Sequence, residues 1–263
     1  MEDYNRRVDP GASVRENIME LVTVPSARLQ TEVSMFLKAE ISKITNANET
    51  FEALAQGHSK YKDILDQSHV SSGPTLADVL KKLIGMELVE KTSPINAPND
   101  RKKTSYRIID PLSRFFYRYV SRYLSQVQFM APDAFFDRYV RDDFENNYVP
   151  HAFEDVCRQY LVRKNRAGEL GEPFELIGRY YCDDPAARAN GEFDVVTYGE
   201  QGYAFYEAKF RKAPVTDRMV SGEIDQVRAT GLECYKYGFF SRSGFSAAPR
   251  PDTEFITLSQ IYA

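Results

Sequence analysis

Two periodicities alternate along this chain. Ser13 and Glu16 are spaced as a capping box, and Ile18, Leu21 and Val22 follow at helical intervals. Pro25 ends or interrupts that helix, because its ring cannot continue the amide ladder. Residues 27–41 predict a second helix, with Leu29, Val33, Phe36 and Leu37 on one side. Residues 51–55 and 61–65 predict two short helices, residues 71–74 (Ser-Ser-Gly-Pro) a turn, and residues 75–84 a third helix. Leu76, Val79, Leu80 and Leu83 face inward on that third helix, and Gly85 is its expected stop. Strand-like residues 88–91 and 104–109 follow, joined by a polar loop containing Pro94 and Pro98. In the second half, Phe153, Val156, Cys157, Tyr160 and Leu161 make an amphipathic helical stripe. Residues 174–181 predict a strand and 182–191 a polar loop. Residues 193–196 and 203–210 then read as a hairpin around Gly199-Glu200-Gln201-Gly202. Residues 215–229 predict a helix with Val220, Ile224 and Val227 inward, and residues 237–241 and 255–258 two short strands.

Three short helices followed by a two-stranded wing read as a winged helix over residues 49–110. In such a module the third helix, with Lys81 and Lys82, enters the major groove, and Arg101, Lys102 and Lys103 in the wing contact phosphate. The same module used for protein docking is the alternative, since the segment's charges roughly cancel. Residues 110–130 are aromatic and basic. Arg114, Arg118 and Arg122 recur every fourth residue along one helix face, beside Phe115, Phe116, Tyr119 and Tyr123. The aromatics suit an interdomain core. The arginines either meet phosphate or pair with the acidic run 137–145.

Composition narrows the class. The chain has 263 residues, 43% hydrophobic and 27% charged, which is long enough for about two ordinary folded domains. A net charge of −4 argues against a uniformly basic nucleic-acid binder but permits a local basic patch. No apolar run is long enough to span a bilayer and no signal peptide opens the chain, so a cytoplasmic, membrane-free protein is expected. Three scattered cysteines suit buried thiols in a reducing compartment, and three histidines leave no histidine-rich metal site. No G-x-x-x-x-G-K-[ST] loop occurs, so the chain alone is expected neither to bind nor to hydrolyse ATP.

The hairpin carries the chemistry. A two-residue turn at Glu200-Gln201 sets Asp194 opposite Glu207, Glu192 opposite Lys209 and Val196 opposite Phe205. Alternation then places Glu192, Asp194, Glu207 and Lys209 on one face, and Phe193, Val195, Tyr206 and Ala208 on the other. Facing carboxylates cost up to ~1 kcal/mol, which a bound cation removes. Asp194 followed by Glu207-Ala208-Lys209 resembles the D-x(n)-E-x-K core motif of the PD-(D/E)XK nuclease superfamily. Two carboxylates from neighbouring strands suit a hard divalent ion, Mg or Mn, and the lysine suits the attacking water or the phosphate charge. A solvated, alternating charged strand is the alternative. The order helix, three strands, helix, strand matches that superfamily's core, whose first helix commonly supplies a further acid, here Glu154.

The whole chain is similar to the C-terminal region of prokaryotic AAA-type ATPases that end in a winged helix and a nuclease-like tail. The resemblance rests on Ser13-Val14-Arg15-Glu16-Asn17-Ile18-Met19-Glu20-Leu21, on residues 106–111 (YRIIDP), on 152–157 (AFEDVC) and on 177–181 (IGRYY). Tyr180 and Tyr181 stand where tryptophans are usual, and the ATPase itself is missing. The resemblance implies an α+β protein in three parts. These are a helical segment over 1–48, a winged helix with its connecting helix over 49–130, and a restriction-endonuclease-like α/β domain with a mixed sheet over 131–263. It further implies DNA as partner, a possible separate ATPase, and Glu154, Asp194, Glu207 and Lys209 as catalytic residues, with Asp194 and Glu207 as metal ligands. Gln226 on the following helix is a weaker addition. A non-catalytic DNA-binding or regulatory module, or a docking adaptor for an ATPase, is the rival reading.

Overall fold

The computed structural model describes residues 6–40, 46–184 and 189–263. The protein is α+β, and by contact it divides into two units: Met1–Thr92 with Thr104–Asp143, and Ser93–Lys103 with Phe144–Ala263.

The first unit is mostly helical. α1 (Val14–Ile18) begins at a capping box, in which the Glu16 amide donates to Ser13 Oγ and the Ser13 amide donates to the Glu16 carboxylate at 2.7 Å. It runs into one π-helical turn, Met19–Thr23, which ends before Pro25. α2 (Arg28–Glu40) buries Leu29 and Val33. Ile41 and the side chains of Phe36 and Leu37 lie outside the described residues. α3 (Ala47–Ala55), α4 (Tyr61–Gln67) and α5 (Gly73–Gly85) then lead to β1 (Val89–Thr92) and β2 (Ser105–Ile108). These strands pair antiparallel, with Val89 opposite Ile108, in winged-helix order. Phe51, Ile64, Leu76, Leu80 and Leu83 are buried between the helices.

Three expectations need correction here. The turn expected at residues 71–74 is the start of α5: Ser72 caps it, and Pro74 falls in the first turn, where a missing N–H costs nothing. Gly85 is the last helical residue, not the stop. Glu87 takes the left-handed position (φ 58°), while the Glu87 and Leu88 amides donate to Ile84 O and Leu83 O at 3.0 Å. Those two bonds satisfy terminal carbonyls and offset the roughly 1–2 kcal/mol cost of a left-handed non-glycine residue. Finally, the stretch 110–130 is not one helix. α6 (Pro111–Tyr119) breaks at Val120, a 3₁₀ turn covers Ser121–Tyr123, and α7 (Leu124–Phe129) follows. The first unit closes with α8 (Pro132–Tyr139).

The second unit is a five-stranded mixed sheet between helices. α9 (Val149–Arg166) precedes β3 (Leu176–Asp184), β4 (Ala189–Gly199) and β5 (Gly202–Lys209), which run antiparallel in that order. α10 (Asp217–Ala229) then crosses over to β6 (Cys234–Ser241) and β7 (Thr253–Thr257), both parallel to β5. A short helix, α11 (Leu258–Ile261), ends the unit. Phe153, Cys157 and Leu161 of α9 cover Val195, Tyr206 and Phe240 on one face. Val220, Ile224 and Val227 of α10 cover Phe193, Val196, Phe205 and Phe239 on the other. Strand pairing extends beyond the residues expected from periodicity: β3 reaches Asp184 and β4 begins at Ala189, so most of the expected 182–191 loop is strand, and 185–188 lie outside the described residues. Segment 93–103 docks on β3, with the Ile95 amide donating to Arg179 O at 2.7 Å and the Asn96 side chain bonded to both backbone groups of Tyr181.

Candidate active site

β4 and β5 pair with Val195 opposite Tyr206 and Gly199 opposite Gly202, the register of a two-residue turn at Glu200-Gln201. The faces differ from strict alternation. Between β3 and β4 the pairing steps from Gly178–Val196 to Tyr180–Phe193, so β4 carries one extra residue there. Phe193 consequently packs in the α10-side core and Val195 in the α9-side core, with Asp194 at the break. The expectation that Phe193 and Val195 share a face is therefore corrected. Glu192 also departs from its expected place opposite Lys209: it is 2.6 Å from Arg179 on β3.

Lys209 is the best-held side chain of the group. Its Nζ lies 2.6 Å from a carboxylate oxygen of Glu207 and 2.6 Å from one of Glu223 on α10, with all three side chains only about a quarter exposed or less. Burial by itself would lower the lysine pKa; the Glu207 and Glu223 charges outweigh it and raise the value. Burial pushes the Glu207 carboxyl up to about 7, a change that Glu223 and Asp194 reinforce and Lys209 opposes. Asp194 is exposed by surface area. Crowding by protein atoms, then the charges of Glu154 and Glu192, still push it up to about 6 against the pull of Arg179 and His151. Glu154 accepts from His151 of the preceding turn at 3.3 Å, if that ring nitrogen carries its proton. Glu154 and Glu207 are both near enough to Cys157 to add to the burial that raises its thiol pKa, so that thiol is inert. Cys157 is buried, whereas Cys182 and Cys234 are only half-buried, unlike the expectation for all three.

Glu154, Asp194, Glu207 and Lys209 thus form one chain of interacting charges built from α9, β4 and β5. Glu223 is the α10 residue that joins this group, a residue not singled out from sequence, and Gln226, the weaker expectation on that helix, does not join it. Gln226 is exposed. The signal was present: with Val220, Ile224 and Val227 facing inward, a 3.6-residue repeat puts Glu223 beside the buried stripe and Gln226 farther round. Among the described residues, no group of three or more histidine, cysteine or acidic side chains is gathered closely enough to cage a metal ion. Asp194 and Glu207 offer hard oxygen donors whose mutual repulsion a cation would relieve.

The residues expected to bind nucleic acid are scattered. Lys81 and Lys82 are exposed on α5, but Lys82 pairs with Asp78 at 2.7 Å. Arg101 and Lys102 are exposed, while the Lys103 ammonium lies 4.5 Å over the Tyr181 ring and 3.9 Å from Asp100. The expected stripe of Arg114, Arg118 and Arg122 does not form a free phosphate-facing row. Arg118 binds both oxygens of Asp143, at 2.6 and 2.8 Å, and the carbonyl of Ala55, while Arg122 reaches Glu52 at 3.7 Å. Pairing of Arg118 with the acidic run, the alternative reading of that stripe, is what the structure shows.

Residues 116–221 match the DUF234 family, described as archaeal and bacterial proteins of unknown function; the match spans Glu154, Asp194, Glu207 and Lys209 and stops short of Glu223. An uncharacterized protein of Methanocaldococcus jannaschii is 30% identical over 157 residues, which is 58% of this chain and 34% of that protein. Among solved structures, a MarR family regulator from Neisseria meningitidis aligns at 17% identity over 54% of this chain and 95% of its own, with a TM-score of 0.24. A Vibrio cholerae protein aligns at 11% identity over 90% of this chain and 55% of its own, with a TM-score of 0.28. Superpositions that loose carry no weight for fold or function. The chain spans about a third of the length of the curated archaeal relative it matches (34%).

Proposed function

We propose that the second unit holds a divalent-cation-dependent site for hydrolysis of a nucleic-acid phosphodiester. The observation that carries this is the Glu207–Lys209–Glu223 ion-pair set beside two further carboxylates, Asp194 and Glu154. Asp194 and Glu207 would hold magnesium or manganese, which when bound acidifies a coordinated water and neutralises phosphate charge. With Glu207 pushed up to about 7, that carboxyl is only partly ionised at neutral pH until a cation draws its proton off, whereas Asp194, at about 6, is already mostly ionised there. Lys209, fixed by two carboxylates, presents an ammonium where negative charge develops on the phosphate. Glu154 places a further carboxylate beside Asp194. Attack by water forms one P–O bond as the bond to the leaving sugar oxygen breaks; the water proton passes to a nearby carboxylate or to solvent, and the leaving oxygen takes up a proton from solvent to become a hydroxyl.

The rival reading, a non-catalytic DNA-binding regulator, is favoured by the winged-helix order of the first unit. Work alongside a separate AAA-type ATPase belongs to the family resemblance, and is tested by co-purification of such an ATPase with the tagged chain. One paired experiment separates the main readings: a cleavage assay with manganese and a DNA-binding isotherm, on wild type, Asp194→Asn and Lys209→Ala. Lys209→Ala is expected to lose about 10²–10³ in cleavage rate while DNA affinity stays within about twofold. A wild-type protein that binds DNA but cuts no single- or double-stranded substrate establishes the regulator. One that binds no DNA points to the docking adaptor.

A further inference from the structure

The helix that carries Glu154 carries something else. Beyond that residue, α9 lines an open cavity of about 590 Å³ together with Ile177 of β3. Its walls include Arg158, Gln159, Val162, Arg163 and Arg166. Glu154, Arg158, Val162 and Arg166 follow one another at four-residue spacing, so they form one row along the helix surface. At 1.5 Å per residue, Arg158 lies about 6 Å and Arg166 about 18 Å along the axis from Glu154. A phosphate recurs about every 3.4 Å of axis along each strand of a duplex and more widely along an unstacked strand, so the row is long enough to meet more than one phosphate.

The cavity's chemistry has two parts. Val162 and Ile177 give it a half-buried apolar floor. The arginines form its rim. Arg163 is exposed yet oriented, because its guanidinium donates to Ile261 O at 2.9 Å and lies 5.7 Å from the Tyr160 ring. Arg158 is 3.6 Å from Asp155, and Arg166 is exposed at the far end. Apolar side chains beside arginines suit an unpaired base, with the backbone phosphate on the arginines; a duplex keeps its bases stacked inside and cannot use the apolar part.

We infer that this cavity seats an unpaired nucleotide of a single-stranded nucleic acid flanking the bond at the Glu154–Asp194–Glu207–Lys209 cluster. The inference rests on the nuclease reading for why a strand runs there, but binding tests it without cleavage. The probe is a 5′-labelled oligothymidylate read by fluorescence anisotropy in EDTA at several salt concentrations, with a matched duplex alongside. Arg158→Gln/Arg166→Gln is expected to weaken single-strand binding at least tenfold. It should also reduce the magnitude of the log–log salt slope by about 1.4, or 0.7 for each lost phosphate contact. Val162→Phe, which fills the floor without changing charge, is expected to weaken single-strand binding several-fold and leave duplex binding unchanged. Thermal melts identify any variant that does not fold, and Arg166→Gln alone, at an exposed position, then carries the test with half the slope change. Unchanged affinity and slope in the folded variants overturns the inference, as does a wild type that binds no oligonucleotide. Slope loss in the arginine variants without any cleavage by wild type would instead overturn the nuclease reading and leave the subsite standing.

Discussion

Lys209 is gripped from two elements, by Glu207 two residues away on β5 and by Glu223 on α10. The two grips differ in purpose. Glu207 is proposed as a cation ligand and cannot be changed without disturbing that site. On the proposed reading, Glu223 acts through the lysine as a positioning residue. Glu223→Gln keeps its shape and removes one of the charges that raise the Lys209 pKa. Supporting groups of this kind typically contribute 10–100-fold. The expected outcome is a cleavage rate lower by that factor, with the alkaline limb of the rate profile moved to lower pH and manganese affinity, measured by calorimetry well above the Glu207 pKa where that carboxyl is ionised in both proteins, changed much less than the rate. An unmoved alkaline limb would place Glu223 outside the mechanism. Asp194 shows what a single residue cannot tell in isolation. Its identity fits a metal ligand, but its place at the irregularity of β4 follows from how Phe193 and Val195 are drawn to opposite cores.

At the scale of elements, the sheet is locked by a close approach between β5 and β6. Gly238 stands opposite Tyr206, and a methyl group on it would overlap the tyrosine ring. The ring belongs to the core under α9, with Phe153, Cys157 and Phe240. Gly238→Ala is expected to destabilise the protein by roughly 1–3 kcal/mol through overpacking, measured by urea unfolding. The same change in a Tyr206→Val background should cost much less than in wild type, because the clash is with the ring; equal costs would assign the effect to backbone rather than packing. β5 carries Glu207 and Lys209, so both site residues depend on this packing for their height in the sheet.

For the molecule as a whole, the raised carboxyls tie stability to pH and, on the proposed reading, to cation. Glu207 titrates at about 7 in the folded protein against an ordinary 4.5, and Asp194 at about 6 against 3.8. Below the ordinary values both folded and unfolded chains hold these protons. As pH rises, the unfolded chain releases them first, so the unfolded state is favoured and stability falls until about pH 7. For Glu207 the gap corresponds to at most about 3 kcal/mol; Asp194, open to solvent, adds in the same direction. The melting temperature is therefore expected to fall between pH 5 and pH 7.5, with a shallower fall in Glu207→Gln. Magnesium should stabilise wild type more at pH 7.5 than at pH 5, since protonation competes with the ion. A wild type and Glu207→Gln with parallel pH profiles, and no cation effect at either pH, would remove the site from the account.

Local physics was readable before any tertiary contact. The capping box at Ser13 and Glu16, the stripes of α5, α9 and α10, and the β4–β5 register all depend on neighbours within a few residues, where side-chain periodicity and turn chemistry dominate. The acid-lysine pattern at Asp194, Glu207 and Lys209 was legible for the same reason. Other features needed the folded chain. Pairing with β3 added the irregularity at Asp194, because two cores compete for adjacent side chains. Arg118 was drawn from its apparent row by Asp143, 25 residues on, since a bidentate pair outweighs helical spacing. Glu223 joined Lys209 only because the parallel crossover lays α10 over β5, and a crossover's landing place is set by long-range packing rather than by local pattern.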